Sequence, residues 1–181
     1  MIHPMRTTLQ RCLIPAAALL LFAAALTAQS PEWKAYNYPS DGFRVSFPSA
    51  PELSKDNVST DTGTFELRSY MVEVATTALY IGVCDYGAKA ASADPDLLLE
   101  DAKKGAVNSV KGRLLSEKKI TLGAYHGVEF EADGATMHLS ARSYMVGGVL
   151  YQTMVISPLA GRYPETARFL DSFQLLPRAQ K

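Results

Sequence analysis

Two glycine-containing dipeptides, Asp133-Gly134 and Gly147-Gly148, cut residues 125–158 into three stretches in which polar and apolar side chains alternate. Asp-Gly and Gly-Gly accept the positive φ angles of a two-residue hairpin, so each predicts an antiparallel strand pair and fixes its register. About Gly147-Gly148, Met145 falls opposite Leu150, Tyr144 opposite Tyr151, Arg142 opposite Thr153 and Ala141 opposite Met154. A two-residue turn at Asp133-Gly134 sets Phe130 opposite Met137, Val128 opposite Leu139 and Glu129 opposite His138. Side chains alternate along a strand. Val128, Phe130, Met137, Leu139, Ala141, Met145, Leu150, Met154 and Ile156 therefore share one face, which predicts a core. Glu129, His138, Arg142, Tyr144 and Tyr151 share the other.

The remainder of the chain supplies partners for this unit. Short strands are expected over Trp33–Tyr38 and Phe43–Phe47, with Pro39-Ser40-Asp41-Gly42 as their turn. Pro48 and Pro51 stop the second, and Ser54–Gly63 reads as a polar loop. Thr64–Val74 and Ala78–Tyr86 are rich in aromatic and β-branched residues and predict two more strands. One long helix is expected over residues 92–111. Asp94 suits its N-cap, Pro95 its first turn and Lys111-Gly112 its end, while Leu98, Ala102, Ala106 and Val110 form a buried stripe. Arg113–Leu122 and Tyr125–Ala132 continue the β pattern. A short helix over residues 164–173 turns Ala167, Leu170 and Phe173 inward. The sum is an α+β domain: an antiparallel β-sheet flanked by one long and one short helix.

Before this domain stands a leader. Arg6 and Arg11 form a basic n-region, and residues 12–28 run without a charge through an alanine- and leucine-rich h-region to the small residue Ala28. That three-part pattern predicts a secretory signal peptide over residues 1–28, cut near Ala28, and a soluble periplasmic or secreted domain over residues 29–181. The apolar run is shorter than the roughly 20 residues of a spanning helix, and no later stretch approaches that length, so no membrane span is expected after the signal is removed. Cys12 precedes the h-region and follows Leu9-Gln10-Arg11, which does not match a lipoprotein signal. It leaves with the leader, and Cys84 alone cannot form an intramolecular disulfide.

The full chain carries 18 basic and 18 acidic residues. Loss of Arg6 and Arg11 leaves the mature part slightly acidic, with no run of lysine and arginine to neutralise phosphates, so nucleic acid is not an expected partner.

Several pieces together resemble a known group. These are Gly42-Phe43-Arg44-Val45-Ser46-Phe47-Pro48 followed by Pro51, the long helix, the Gly147–Tyr151 hairpin, and the closing Phe169-Leu170-Asp171-Ser172-Phe173. Over about residues 33–176 they resemble the exported PsbP-like proteins, many of which have no assigned function. The resemblance implies an α/β/α sandwich and a non-catalytic binding or accessory role in the cell envelope. No catalytic motif comes with it. The photosystem role of some members is not carried over, because the sequence does not establish a photosynthetic host.

The residues themselves offer one constellation. Glu129, His138, Arg142, Tyr144 and Tyr151 on one sheet face give a carboxylate and an imidazole for base and acid, and an arginine between aromatic rings that suits a carboxylate or phosphate. The ordinary reading of such a face is solvated cross-strand pairs. The functional reading is a binding site for a protein or small ligand, on this face or in the groove beside the long helix. A hydrolase or lyase using Glu129 and His138 is the alternative, and no residue is assigned as catalytic. Cys84 has no base placed beside it and reads as a small buried hydrophobe. His126, Glu129 and His138 are too few for a structural metal site, and the register sets His126 on the core side, so no metal is expected. No phosphate loop, dinucleotide fingerprint or Gly-x-Ser-x-Gly elbow is present, and no cofactor is expected. Trp33, Tyr36, Tyr38, Phe43 and Phe47 read as the cover of one end of a core rather than as a ligand cleft.

Overall fold

Alternation of aromatic and valine residues draws the first two pieces into a hairpin, β1 (Lys34–Tyr38) and β2 (Phe43–Phe47), closed by Tyr38 opposite Phe43 with Gly42 at φ 74°. The computed structural model describes residues 32–60 and 63–177, all within the unit Pro31–Lys181. The leader expected over residues 1–28, and its cleavage near Ala28, lie outside the described residues.

Eight more strands and three helices follow in the described residues. The segment expected to be a polar loop is instead β3 (Glu52–Thr60), paired antiparallel along its length with β4 (Gly63–Val74). β3 ends the sheet and is exposed along most of its length. Neither face needs apolar residues, so the alternation that announces a strand is missing. β5 (Thr77–Asp85) is followed by a single turn, α1 (Gly87–Ala91), and then by α2 (Pro95–Ser109). α2 starts at the expected cap, where the Asp94 carboxylate accepts the Asp96 N–H at 2.9 Å. Its end differs: Lys111, not Gly112, takes the left-handed conformation at φ 49°. The stripe that α2 buries is Leu99, Lys103 and Ala106, turned by about one residue from the expected one.

β6 (Arg113–Leu122), β7 (Tyr125–Asp133), β8 (Met137–Val146) and β9 (Val149–Pro158) complete a seven-stranded antiparallel sheet of order β3-β4-β5-β9-β8-β7-β6. The β8–β9 register is the one the sequence predicts, and Gly147 and Gly148 carry φ angles of 56° and 85°. The β7–β8 register is not. Glu129 faces Arg142, Phe130 faces Ala141, Ala132 faces Leu139 and Asp133 faces His138. Each partner has moved by four positions, an even number, so the membership of the two faces survives. The cause lies at Gly134. A Cβ there would stand 2.2 Å from the Val110 carbonyl oxygen, so this glycine makes room for the end of α2 rather than forming a two-residue turn. The loop opens accordingly, with Gly134 N–H donating to Met137 O at 2.8 Å.

After β9 come α3 (Thr166–Asp171) and β10 (Gln174–Leu175); β10 joins β2 to make a second sheet of order β1-β2-β10. α3 buries Phe169 and Leu170, with Phe173 just beyond it, whereas Ala167 is exposed.

Both faces of the large sheet are covered. On one, α2 crosses β7 and β8 and sets Ala106 on Phe130, Ala132, Leu139, Ala141 and Met154, and Leu99 on Cys84, Met145 and Leu150. This is the face expected to be core. The opposite face, expected to be solvated, is a larger core. Tyr70, Val72, Leu79, Ile81, Val83, Tyr144, Tyr151 and Val155 pack there beneath Phe43, Val45, Phe47, Phe169, Leu170 and Phe173 from the small sheet and the α3 region. The architecture is α+β with antiparallel sheets, a sandwich of helix, sheet, and small sheet with helix.

Candidate functional site

The five residues expected to form one surface fall into three places. Tyr144 and Tyr151 are in the larger core. The Tyr144 ring stacks parallel to Phe173 with centroids 5.8 Å apart, and burial pushes its hydroxyl pKa up. Tyr151 is 1% exposed and its hydroxyl donates to the Asp41 carbonyl at 2.6 Å. Asp41 sits in the β1–β2 turn, where its carboxylate also accepts the Tyr70 hydroxyl and faces Arg68 Nε at 2.8 Å. Burial, followed by the hydrogen bond to that carboxylate, pushes the Tyr70 hydroxyl pKa far up. The group pins the small sheet to the large one. Tyr36, Tyr38 and Trp33 are partly buried against the same core and cover its end, as the sequence suggests.

Glu129 and Arg142 form a second place, a ladder of charges across the sheet. Arg142 Nε donates to Glu129 at 2.6 Å and Nη1 to Asp171 of α3 at 2.7 Å, while Lys118 of β6 lies 2.8 Å from Glu129. The hydrogen bond from Lys118, and then that from Arg142, holds the Glu129 carboxyl below the usual range despite partial burial. Such a carboxylate is a weak proton acceptor at neutral pH.

His138 forms the third. It is 2% exposed, opposite Asp133 rather than Glu129. Its Nδ1 is 2.6 Å from Asp133 Oδ1 and its Nε2 is 3.1 Å from Ser140 Oγ. Sequence reasoning missed this Asp-His-Ser line because the two-residue turn assigned at Asp133-Gly134 paired the imidazole with the wrong carboxylate. Its order matches orienter, base and nucleophile, but its placement does not suit acyl transfer. Ser140 is buried in mid-strand, paired to Glu131 on one side and Val155 on the other. Its backbone is committed to the ladders and offers no oxyanion site. Four positions along β7, about 13 Å, separate Glu129 from the position opposite His138.

An open feature lies on the other side of the sheet. A groove of about 290 Å³ runs between the first half of α2 and strands β6 and β7, lined by Asp96, Leu99, Glu100, Lys103, Lys119 and Val128 among others. Lys103 is buried at its inner end between two half-exposed carboxylates, Glu100 at 2.6 Å and Glu117. Burial pulls the amine pKa down, but the hydrogen bonds to Glu100 and Glu117 outweigh it and keep Lys103 charged. Such an amine is no nucleophile. At the rim, Asp96 takes Lys119 at 2.5 Å and His126 Nδ1 at 2.9 Å. His126 does lie on the α2 side, but exposed at the groove mouth. Among the described residues no three His, Cys, Asp or Glu side chains converge on a point that would hold a metal ion. Cys84 is buried and burial pushes its thiol pKa up.

The chain matches no known protein family and no curated protein sequence. Its fold is similar to the solution structure of cyanobacterial PsbP (CyanoP) from Synechocystis sp. PCC 6803, with a TM-score of 0.56 over 85% of this chain and 98% of that one, at 9% identity. At that identity the likeness establishes the fold, and the sandwich is PsbP-like.

Proposed function

We propose that the mature chain is an exported, non-catalytic binding or accessory domain of the cell envelope, and that it holds a protein or small ligand in the groove beside α2. The observation that carries this reading is the contrast between its two polar regions. The groups that would do chemistry are tied into structure: Glu129 is held ionised by Lys118 and Arg142, and His138 is buried on Asp133 and Ser140. The groove is open, has an apolar floor at Leu99 and Val128, and carries charge of both signs on its walls. That is the usual make-up of a recognition site. Glu129 and Arg142 in the middle of the ladder remain a second, smaller set of binding groups. Among the described residues no helix is long and apolar enough to cross a membrane, in keeping with an extrinsic role after the leader is cut near Ala28.

A photo-crosslinking residue placed at Lys119, on the groove rim, tests the reading in cells that make the full chain, with Lys55 on β3 as the control. A discrete adduct from position 119 to a species other than a second copy of this chain, and none from position 55, supports it. Adducts from both alike, or only from 55, overturn the groove assignment.

A further inference from the structure

We infer that β6 is a self-pairing edge, through which two copies of this chain join their seven-stranded sheets. The inference stands apart from the ligand reading, because it rests on backbone topology and charge order rather than on the groove. β6 ends the strand order, so one of its edges has no strand beside it among the described residues. In an antiparallel pair of identical strands related by a two-fold axis through residue 118, Glu117 falls opposite Lys119 of the second copy, and Lys119 opposite its Glu117. Glu117 and Lys119 pair within the chain with Phe130 and Val128, so both lie on the α2 side of the sheet and meet their counterparts on one face. The two opposite-charge pairs are formed together by the symmetry.

Lys118 meets its own copy at the axis, on the other face. There each ammonium is already 2.8 Å from its own Glu129. Moving the axis by one residue puts Glu117 on Glu117 or Lys119 on Lys119, so charge selects a single register. The break in the β6–β7 register between Leu114 and Ser116 limits the regular ladder to about residues 116–120. The other edge strand, β3, lacks this order: centred on its charged positions it sets Lys55 on Lys55 or Asp56 on Asp56. Glu117 and Lys119 also hold Lys103 and Asp96 within the chain, but a carboxylate accepts through two oxygens and an ammonium donates three protons, so each has capacity for a second partner. A five-residue ladder buries less than a standard stable interface, which sets the association as weak and concentration-dependent.

Sedimentation of the mature chain over rising concentration, with Glu117→Lys, Lys119→Glu and their equimolar mixture, tests this. Expected are a wild-type dimer fraction that grows with concentration, a loss of at least about tenfold in affinity for either single variant, and recovery in the mixture. Wild-type protein that stays monomeric to millimolar concentration overturns the inference, as do single variants that dimerise like wild type or a mixture that does not recover. Glu117→Lys also disturbs Lys103, so Lys118→Cys provides a reading that leaves both charges in place. Under mild oxidation it should form a disulfide-linked dimer faster than Lys55→Cys does; equal rates contradict the register.

Discussion

Tyr151 separates the two accounts of the polar sheet face more sharply than any other residue. As part of an exposed binding surface, Tyr151→Ala would leave stability unchanged. The structure gives it a different role. The ring is 1% exposed, with centroids 6.3 Å from Phe43 and 5.6 Å from Phe173, and the hydroxyl donates to Asp41 O at 2.6 Å. Tyr151→Phe keeps the ring and strands a buried carbonyl, which costs about 1–2 kcal/mol. Tyr151→Ala adds the loss of an aromatic ring from a closed core, about 3–5 kcal/mol, for a total near 5 kcal/mol. At roughly 2–4 °C per kcal/mol for a domain of this size, the melting midpoint falls by about 2–8 °C for phenylalanine and by about 10–20 °C for alanine. Thermal unfolding followed by far-ultraviolet circular dichroism reads both. A Tyr151→Ala protein that melts within a degree or two of wild type would refute the burial, and with it the placement of the small sheet over this face.

Three further outcomes follow from the same geometry. Gly134→Ala drives a Cβ toward the Val110 carbonyl oxygen, where the ideal position is 2.2 Å away, and should destabilise by about 1–3 kcal/mol in urea unfolding; a neutral result would show that the α2 end does not abut the β7–β8 loop. The Glu129 carboxyl titrates below its ordinary range when folded, so its contribution is present above the ordinary carboxylate pKa and is lost as pH falls through the lowered folded value. Urea midpoints taken between neutral and acidic pH should therefore drop less for Glu129→Gln than for wild type, and parallel curves would contradict the ladder. Cys84 is buried with its thiol pKa pushed up, so a thiol reagent should label it in urea and only very slowly in the native state; rapid native labelling would mean that the β5 region opens.

The sequence revealed the elements whose signals are local. Asp94 and Pro95 began α2 where expected, and Gly147-Gly148 placed the β8–β9 register because a two-residue turn with two positive φ angles has few other solutions. Gly134 misled because glycine serves two ends, left-handed backbone and close approach, and only the tertiary contact with Val110 tells which. β3 was hidden for want of a buried face. The swap of solvent and core on the polar face had a different cause. Two of its residues are tyrosines, whose rings bury while their hydroxyls find a partner such as Asp41 O, so a polar residue type does not mean a wet position. The partner sheet that covers them is assembled from β1, β2 and β10, at opposite ends of the chain, and no local pattern announces that meeting. The PsbP-like sandwich was legible through its turn, helix and closing segment together. The groove was legible only in part: a groove beside the long helix could be expected, but the burial of Lys103 between Glu100 and Glu117 depends on how α2 sits over β7 and β8.

The account turns on which polar residues face water, and one measurement reads that directly. A soluble paramagnetic agent added to isotope-labelled protein broadens signals according to their distance from solvent. The structure predicts that Tyr144, Tyr151 and His138 side chains are spared, while Leu97, exposed on α2, and Lys119 and His126 at the mouth of the α2 groove are broadened. Strong broadening of Tyr144, Tyr151 and His138 with protection of Lys119 and His126 would contradict the account, returning the binding surface to the sheet face and closing the groove.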